Sequence, residues 1–338
     1  MDLLGKRILV VGGAGFIGSH IVDQLLQKPV AEVVVYDSFV RGTLENLKTA
    51  SADPRLTVID GNPDVCDFER LTKAMVGIDG VFNLVAIGIL ACNESPDRGV
   101  SVNVQGNWNI FRAASLCGVK KIVHSSSASV YGDALQLPMS ETHSYNNLTL
   151  YGATKIATEH LLLACGEMFH LQWIALRYFN VYGPRQDYKG AYVSVLHRIL
   201  DRLYCGQPPV LFGDGSQMLD FVHVRDVARA NVMAMEGDTS RGFFNVCSGV
   251  GTTLKEVAML LMDLTDIHLD PEYRQANTGT ALVSKRIGDP RRAQRDFGFT
   301  AQTSLAEGLS NLILWRQSNE HLLPQLQRSV EASSLSSA

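Results

Sequence analysis

A short apolar segment that runs directly into a glycine-rich loop constrains the fold of this chain most. Ile8-Leu-Val-Val11 is wholly apolar and rich in β-branched residues, as is typical of a strand buried on both faces. Gly12-Gly-Ala-Gly-Phe-Ile-Gly18 follows it, and then a helical pattern from about residue 17 to residue 27. In such a unit the glycines let the backbone approach a pyrophosphate, and the helix N-terminus supplies N–H groups. The sequence predicts a phosphate-binding unit here, and a plain turn is the alternative.

An acidic residue at the end of the next predicted strand narrows the choice of ligand. Asp37 ends the segment Glu32-Val-Val-Val-Tyr-Asp37, about 20 residues after the glycines. A carboxylate there can accept hydrogen bonds from both ribose hydroxyls of an adenosine and repels a 2′-phosphate. It therefore favours NAD over NADP. Arg41 is near enough in the chain to leave NADP open, and a simple Asp-Ser turn is the alternative to cofactor binding.

Strand and helix patterns alternate along the first half of the chain. Further strands are predicted at residues 56–59, 80–85, 121–124 and 173–176. Helices are predicted at residues 67–76, 102–117 and 151–168. This alternation implies parallel strands joined by right-handed crossovers. The expected fold class is therefore α/β, with a doubly wound parallel Rossmann-type sheet.

The pattern changes after Pro184 and predicts a smaller C-terminal α/β substrate-binding domain. Helices are expected from about residue 192 to 204 and at 254–264 and 305–315, with a glycine-rich hairpin at 212–216. Strands at 221–224 and 243–246 are expected to return to the main sheet. Residues 1–183 are thus predicted to form the Rossmann domain, with 221–250 returning to it, and residues 184–220 and 251–320 the second domain. Residues 330–338, mostly Ser and Ala, are predicted to be disordered.

Charge and composition exclude several kinds of partner. The formal net charge is -4 and no basic block is present, which argues against nucleic acid. No apolar run reaches the roughly 18 residues of a membrane span, and the N-terminus shows no secretory signal. The cysteines are dispersed, without C-x-x-C pairs or clustered His, so we expect buried free thiols, no metal site and a cytoplasmic location. They are Cys66, Cys92, Cys117, Cys165, Cys205 and Cys247.

A tyrosine and a lysine four residues apart form the candidate catalytic pair. Tyr151-Gly-Ala-Thr-Lys155 places them on one face of a predicted helix. A free phenol ionises near pH 10, and a nearby ammonium group stabilises the phenolate, so the pair can take a proton from a hydroxyl while hydride leaves the same carbon. Residues 125–132, Ser-Ser-Ser-Ala-Ser-Val-Tyr-Gly, offer serine hydroxyls at a strand end, where ligands bind in such sheets. Taken singly, a surface Tyr–Lys pair and a serine-rich turn are the alternatives.

An ordered set of motifs carries a family resemblance. The motifs are residues 12–18, 36–39, 64–67, 83–86, 103–106, 125–132, 151–155, 177–184, 213–217 and 220–226. Over about residues 6–315, the chain resembles the extended short-chain dehydrogenase/reductase family. Within that family it is similar to the NAD-dependent nucleotide-sugar epimerases and dehydratases of the UDP-glucose 4-epimerase type.

The resemblance implies roles for individual residues. Ser127 would be the catalytic hydroxyl, Tyr151 the base and Lys155 the group that tunes it. The implied NAD site consists of Gly12, Gly15, Phe16, Ile17, Gly18, Asp37, Ser38, Asp64, Val65, Leu84, Ala86, Tyr151, Lys155 and Tyr178. The implied site for a nucleotide-diphosphate sugar, with a UDP-sugar favoured, consists of Ser127, Tyr151, Asn180, Arg185, Arg225 and Arg286. A homodimer through the helices at 102–117 and 151–168 is also implied.

The residues after Ser127 bear on the reaction. Dehydratases of the family resemble one another in an Asp-Glu pair after the catalytic hydroxyl, and its decarboxylases keep a Glu at the second position. This chain has Ala128 and Ser129 there, and neither can move a proton on and off carbon. The expected function is therefore an NAD-dependent nucleotide-sugar 4-epimerase. It would oxidise C4 transiently to a 4-keto sugar and return the hydride to the opposite face.

Two alternatives stay open: a dehydratase or dehydrogenase that releases a keto sugar, and a non-catalytic NAD-binding relative. A second acid or base would allow the first, and the candidates are Cys92, Glu94, His124, Glu141 and His143.

Many relatives carry Arg where this chain has Leu219, and an apolar residue cannot replace that charge-assisted bond to a diphosphate. The apolar loop at residues 86–92 would suit a deoxy or N-acetylated sugar.

Overall fold

The computed structural model describes residues 1–188, 193–275 and 283–318. The strands are β1 (Arg7–Val11), β2 (Glu32–Tyr36), β3 (Leu56–Val58), β4 (Gly80–Asn83), β5 (Lys121–Ser127), β6 (Gln172–Tyr178), β7 (Asn180–Tyr182), β8 (Val210–Phe212), β9 (Met218–His223), β10 (Arg241–Val246), β11 (Gly251–Thr253), β12 (Glu272–Arg274) and β13 (Lys285–Arg286). The helices are α1 (Phe16–Leu26), α2 (Phe68–Met75), α3 (Ile89–Glu94), α4 (Pro96–Val100), α5 (Asn107–Leu116), α6 (Leu150–Phe169), α7 (Val195–Tyr204), α8 (Val224–Glu236), α9 (Leu254–Thr265), α10 (Arg291–Phe297) and α11 (Leu305–Gln317). The predicted start of α7 at residue 192 and the predicted disordered tail lie outside the described residues.

Seven parallel strands form the main sheet, in the order β10-β6-β5-β4-β1-β2-β3. Successive residues of β1 face opposite sides of it. Ile8 and Val10 pack into a core with α1 and α8, and Leu9 and Val11 pack into a second core with α2 and α5. Burial on both faces explains why this strand is wholly apolar. The predicted α/β class with a doubly wound parallel sheet is confirmed.

Two predicted strand arrangements are wrong. The strand expected to return to the main sheet at residues 221–224 is β9, and it lies instead in a second sheet with β7, β11 and β13. The other expected strand, β10, does join the main sheet beside β6. The glycine-rich segment at residues 212–216 is not a hairpin, because β8 pairs with β12 while β9 lies in the second sheet. Turn residues indicate a change of chain direction, but strand pairing depends on segments far away in the sequence.

The helix predicted at residues 102–117 is interrupted. Ser101–Gly106 form a π-helical turn, and α5 begins only at Asn107. Asn103 is buried in this turn. Single π-turns often occur at functional sites. Four further helices, α3, α4, α8 and α10, were not predicted from the sequence.

A separate apolar core lies in the C-terminal half of the chain. It is built from α7, α9 and α11 together with residues of β8 and β9. This core supports the predicted two-domain division of the chain, which we keep as a proposal.

The structure also bears on the expectations drawn from composition. In the described part of the chain, no helix is long and apolar enough to cross a membrane. Within the same residues no group of His, Cys, Asp or Glu could hold a metal ion. All six cysteines are free, but Cys66 is exposed and Cys117 and Cys205 are half-buried, so the expected burial holds for the other three. The cytoplasmic location remains a prediction.

Candidate active site

The glycine-rich loop closes tightly against the start of α1. Gly12 has a φ of 84°, in the left-handed region that favours glycine. A Cβ atom at Gly18 would lie 2.1 Å from the carbonyl oxygen of Gly12, so a larger residue would force the helix away from the loop. Gly15 precedes α1, and no side chain caps this helix end. Loop and helix end together form a cradle of backbone N–H groups suited to a pyrophosphate.

A cavity of about 500 Å³ opens beside this cradle. It lies at the carboxyl ends of β1, β2 and β4, where the strand order reverses and where such sheets bind ligands. Of the residues predicted to bind the cofactor, those that line it are Gly12, Gly15, Asp37, Ser38, Asp64, Val65, Leu84 and Ala86. Residues 16–18 lie instead in the first turn of α1. Tyr178 is buried, and its hydroxyl is hydrogen-bonded to Ser125 at 2.8 Å and to Asn231 at 2.9 Å.

Asp37, which the sequence predicts to bind the ribose of an adenosine, lines this cavity. Its carboxylate accepts hydrogen bonds from the backbone N–H groups of Ala14 (2.9 Å) and Phe39 (2.8 Å). Burial raises the pKa of Asp37, and these N–H donors oppose the rise. Arg41, which leaves NADP open on sequence grounds, forms an ion pair with Asp187 at 2.7 Å. Part of its positive charge is therefore already neutralised.

The predicted catalytic residues meet where β5 ends and α6 begins. Thr149 caps α6 by accepting a backbone N–H at 3.0 Å, which fixes the first turn that carries Tyr151. Ser127 ends β5, where its hydroxyl is hydrogen-bonded to the Ser129 hydroxyl at 3.1 Å and lies near enough to the Tyr151 phenol to lower its pKa. The Lys155 Nζ lies 5.8 Å from the centre of the Tyr151 ring and donates to the Ser125 carbonyl at 2.7 Å. The fold thus brings these three predicted residues together.

Burial sets the protonation of this pair. It raises the pKa of Tyr151 to about 12, against the opposing effects of the nearby Ser127 hydroxyl and the positive charge of Arg286. It lowers the pKa of Lys155 to about 8, against the negative charge of Glu159. With these groups alone the phenol is protonated at neutral pH. More positive charge nearby would be needed to make it a base.

The three arginines predicted to bind substrate are separated in the fold. Arg286 is near enough to Tyr151 for its charge to lower the pKa of the phenol, donates to a backbone carbonyl at 3.0 Å, and has its own pKa lowered to about 10 by burial. Arg185 instead forms an ion pair with Asp23 of α1 at 2.7 Å. Arg225 is exposed at the start of α8. Of the three arginines, Arg286 is therefore the one whose charge acts on the predicted catalytic tyrosine.

Two neighbouring strands of the second sheet carry further residues of interest. Asn180 on β7 donates from its side chain to the carbonyl of Asp220 at 3.0 Å. Leu219 on β9 pairs in register with Arg286 on β13. Side chains at paired positions of neighbouring strands point to the same face. Arg286 is thus adjacent to Leu219, the position where the family resemblance leads us to expect an arginine.

The candidate second acids and bases differ in their surroundings. Cys92 is buried, and burial raises the pKa of its thiol. If the thiol were ionised, its negative charge would raise the pKa of both Tyr151 and Lys155. Glu94 lines the cavity. The other candidates are held in internal hydrogen bonds: His124 with Asn83, Glu141 with Asn245, and His143 with Leu135.

Sequence reasoning gave no role to two buried features of this site. The Asn103 side chain accepts from the N–H of Ile87 (2.7 Å) and donates to the carbonyl of Ile87 (3.0 Å) and the hydroxyl of Thr154 (3.1 Å). It thereby joins the cavity wall to α6. The second feature is a buried ion pair between Glu159 and Arg177 at 2.7 Å. Only the fold shows that Asn103, Glu159 and Arg177 are buried, so the sequence gives little indication of these contacts.

Known proteins are similar to this chain over most of its length. A model of the NAD dependent epimerase/dehydratase family matches residues 8–247. The chain is 32% identical over 315 residues to a putative UDP-glucose 4-epimerase of Methanocaldococcus jannaschii, covering 92% of this chain and 99% of the relative. It is 34% identical over 311 residues to a UDP-glucose 4-epimerase of Mycolicibacterium smegmatis, covering 91% and 97%. Other relatives are named as a decarboxylase and a dehydratase of nucleotide sugars.

Solved structures are also similar to this chain over most of its length. A UDP-N-acetylglucosamine 4-epimerase from Methanobrevibacter ruminantium, in complex with UDP-N-acetylmuramic acid, superposes with a TM-score of 0.87 at 30% identity, covering 94% of this chain and 99% of that chain. A UDP-glucose 4-epimerase from Thermus thermophilus in complex with NAD superposes with a TM-score of 0.81 at 31% identity, covering 92% and 99%.

Proposed function

Because the chain belongs to the NAD-dependent epimerase/dehydratase family, we propose that it is a nucleotide-sugar 4-epimerase with UDP-sugars as favoured substrates. Its cofactor is NAD. One observation carries the proposal: Ser127, Tyr151 and Lys155 lie together, and the serine is followed by Ala128 and Ser129. The first three can move a proton to and from a hydroxyl, whereas the last two cannot act on carbon–hydrogen bonds.

The residues of the cavity fit NAD. Without side chains at Gly12 and Gly18, the loop can approach a pyrophosphate closely, and Asp37 presents a carboxylate suited to ribose hydroxyls. We propose that residues 64–65 flank the adenine and that residues 84–86 lie along the nicotinamide. When bound, NAD supplies the group that accepts a hydride from C4 of the sugar and returns it.

Proton transfer falls to the chain's own residues. We propose that Tyr151 takes the proton of the C4 hydroxyl and later gives one back, while Ser127 hydrogen-bonds the same sugar oxygen. The positive charge of Arg286 offsets part of the cost of forming a phenolate. We propose that the charge of Lys155, whose Nζ lies 5.8 Å from the centre of the Tyr151 ring, adds to this effect. Because the site is buried, these charges act more strongly than they would in water.

The requirement for a second proton-transfer group separates the reactions of the family. A 4-epimerase needs none, whereas dehydration and decarboxylation do. Ala128 and Ser129 are buried, and Cys92 is a neutral thiol at neutral pH because burial raises its pKa. Glu94 lines the cavity, and it favours the second candidate function, a dehydratase or dehydrogenase that releases a keto sugar.

The substrate diphosphate needs positive charge. We propose Arg286 as its main ligand, because the charge of this arginine reaches the proposed catalytic tyrosine. We propose three further contributors to diphosphate binding. Asn180 and Arg185 would have to give up their present hydrogen bond and ion pair, and Arg225 would have to extend from the surface.

We propose that the chain forms a homodimer through α5 and α6. Leu116 at the end of α5 and Met168 near the end of α6 each expose 64% of their surface, and Leu163 on α6 exposes 38%. Apolar side chains exposed on two adjacent helices are suited to packing against a second copy.

Incubation with sugar nucleotides tests the function. The NAD-loaded protein is mixed separately with UDP-, dTDP-, GDP- and CDP-sugars, and the configuration at C4 is followed by NMR. We expect reversible inversion at C4 with at least one UDP-sugar and no net formation of NADH. Release of NADH or of a keto sugar would contradict the epimerase proposal. Failure to react with any sugar nucleotide would favour the non-catalytic alternative.

A further inference from the structure

One face of α6 carries three ionisable residues at intervals of four. Tyr151, Lys155 and Glu159 therefore lie one above the other along the helix. Lys155 is 3% exposed and Glu159 is 0% exposed. The proposed reaction uses the first two residues but not Glu159. A buried carboxylate must be paired or fully hydrogen-bonded, so the partners of Glu159 indicate what it does.

Glu159 fastens α6 to the strand that carries the catalytic serine. Its Oε1 accepts from the Ser126 hydroxyl at 2.6 Å and from the Arg177 Nε at 2.8 Å. Its Oε2 accepts from the Arg177 Nη2 at 2.7 Å and from the Tyr145 hydroxyl at 3.2 Å. Ser126 immediately precedes Ser127 in β5. The carboxylate is thus bonded one residue away from the catalytic hydroxyl.

Lys155 makes a second connection between the same helix and strand. Its Nζ donates to the Ser125 carbonyl at 2.7 Å. Two consecutive residues of β5, Ser125 and Ser126, are therefore bonded to α6 one helical turn apart. The helix cannot slide or rotate on the strand without breaking a buried hydrogen bond. Tyr151, one turn nearer the helix N-terminus, is held opposite Ser127 as a result.

Arg177 holds the carboxylate from the neighbouring strand. It lies on β6, is 1% exposed and pairs in register with Ser126 of β5. Its Nη1 donates to the Tyr131 hydroxyl at 2.8 Å and to the Glu141 carbonyl at 2.9 Å. A buried polar network with its members bonded in this way is rigid. The position of Glu159 is therefore fixed by two strands at once.

Stability alone is a poor explanation for this ion pair. Replacing a buried ion pair with apolar residues of similar volume often leaves stability unchanged or raises it, because removing two charges from water is costly. Position matters much more for catalysis, since displacing a reacting group by about 1 Å can lower the rate roughly 100-fold.

We propose that Glu159 is a positioning residue that, through Ser126 and Arg177, fixes α6 on β5 in the register that brings the Tyr151 phenol to the Ser127 hydroxyl. The inference rests on the proposed function of Tyr151 as the base. It adds a residue that touches neither the sugar nor the cofactor but determines where the base lies.

Ser126→Ala tests the proposal because it removes the bond to β5 without changing any charge. We expect kcat to fall roughly 10- to 100-fold while KM stays within about twofold of the wild-type value. Thr158→Ala is the matched control. Thr158 is 1% exposed on α6, and its hydroxyl bonds the Lys155 carbonyl of its own helix at 2.9 Å. This control is expected to keep the wild-type kcat.

Glu159→Gln is the second variant, since it keeps the size of the side chain but removes its charge. We expect at least as large a loss of kcat, measured on protein whose circular dichroism matches the wild type. Should this variant fail to fold because Arg177 is left unpaired, the Ser126→Ala result decides. A wild-type kcat in Ser126→Ala, or an equal loss in Thr158→Ala, would overturn the proposal.

A crystal structure of the NAD-free Ser126→Ala protein gives a readout that needs no substrate. We expect the separation between the Tyr151 Oη and the Ser127 Oγ to increase by about 1 Å relative to the wild-type crystal. An unchanged separation would overturn the proposal. If the wild-type protein turns over no sugar nucleotide, the proposed function fails. The comparison of the two crystal structures still tests whether Glu159 positions Tyr151.

Discussion

In the proposed mechanism, the chemistry at the scale of single residues depends on one phenolic oxygen. The Ser127 hydroxyl and the positive charge of Arg286 both act to lower the pKa of Tyr151. Burial raises its pKa to about 12, which keeps the proton on the oxygen at neutral pH. The residue is therefore placed to exchange a proton only when the surrounding charge favours the phenolate.

Tyr151→Phe removes this oxygen while keeping the ring. Because general acid–base catalysis typically contributes 10²- to 10⁴-fold, we expect kcat to fall by roughly that factor with little change in KM. Turnover is measured by NMR with the sugar nucleotide that the wild type converts. Tyr273→Phe, at a tyrosine that is 50% exposed on β12, should keep the wild-type rate. A Tyr151→Phe protein as fast as the wild type would show that another group is the base.

Lys155 is costly to bury, and that cost can be measured. Burial lowers its pKa from an ordinary value near 10.4 to about 8. At pH 7 the residue is charged in both states, so the folded state bears the full penalty. As pH rises from about 8 to about 10.4, the folded protein loses the proton before the unfolded chain does, and the penalty disappears.

Lys155→Met is therefore expected to be more stable than the wild type at pH 7 although inactive. One pKa unit corresponds to about 1.4 kcal/mol, and losing the hydrogen bond to Ser125 offsets part of the gain, so we expect roughly 2 kcal/mol. Urea unfolding at pH 7 and at pH 10 measures it. The difference between the two proteins should shrink at pH 10. A difference that is constant between these pH values would mean that desolvation of the ammonium group is not its cause.

At the scale of elements, the contact between the glycine loop and α1 is the tightest in the cofactor site. A Cβ at Gly18 would lie 2.1 Å from the Gly12 carbonyl oxygen, whereas a Cβ at Gly15 would lie 3.2 Å from the same atom. The first distance requires the helix to move, and the second requires only a small adjustment. Gly15 at the N-cap of α1 and Gly18 in its first turn thus provide a matched pair of substitutions.

Gly18→Ala is expected to lower the free energy of unfolding by roughly 1–3 kcal/mol, as overpacking does. The clash must exceed the stabilisation of up to about 1 kcal/mol that alanine gives within a helix. Gly15→Ala should cost less than about 1 kcal/mol. Urea unfolding of the NAD-free proteins compares the two. Equal stability would mean that the loop can shift to accept a side chain at position 18.

At the scale of the whole molecule, one buried carboxylate links segments from different parts of the chain. Asp220 on β9 accepts from the backbone and hydroxyl of Ser248, and from the backbone N–H groups of Gly249 and Gly288. These segments connect β10 of the main sheet with the strand that carries Arg286. Burial nevertheless raises the pKa of Asp220 to about 6.

This shift makes stability depend on pH. Between pH 4 and 6 the folded protein holds a proton on Asp220 that the unfolded chain has released, so stability from this group falls as pH rises through that window. Relative to Asp220→Asn, the wild type should lose roughly 2 kcal/mol between pH 4.5 and pH 7. Urea unfolding at both pH values measures this difference, and Asp263→Asn on the surface of α9 is the control. A difference that does not change with pH would contradict the raised pKa.

The sequence by itself determined the parts of this protein that depend on nearby residues. The apolar β1, the glycine loop, Asp37 at the end of β2 and the Tyr151–Lys155 spacing all express local backbone geometry or the burial of one segment. These features were sufficient for the fold class, and together with the family resemblance they gave eight of the residues that line the cavity. They could be predicted because each is encoded within a few consecutive positions.

The tertiary structure alone decided which distant segments meet. It placed β9 in the second sheet, brought Arg286 rather than Arg185 or Arg225 to the catalytic tyrosine, and paired Glu159 with Arg177 behind it. These contacts join residues that are well separated in the chain, and no local pattern encodes which partner each will find. Their physical reason is burial: once the two faces of the sheet are covered, each enclosed charge must find an opposite charge or a hydrogen-bonding partner there.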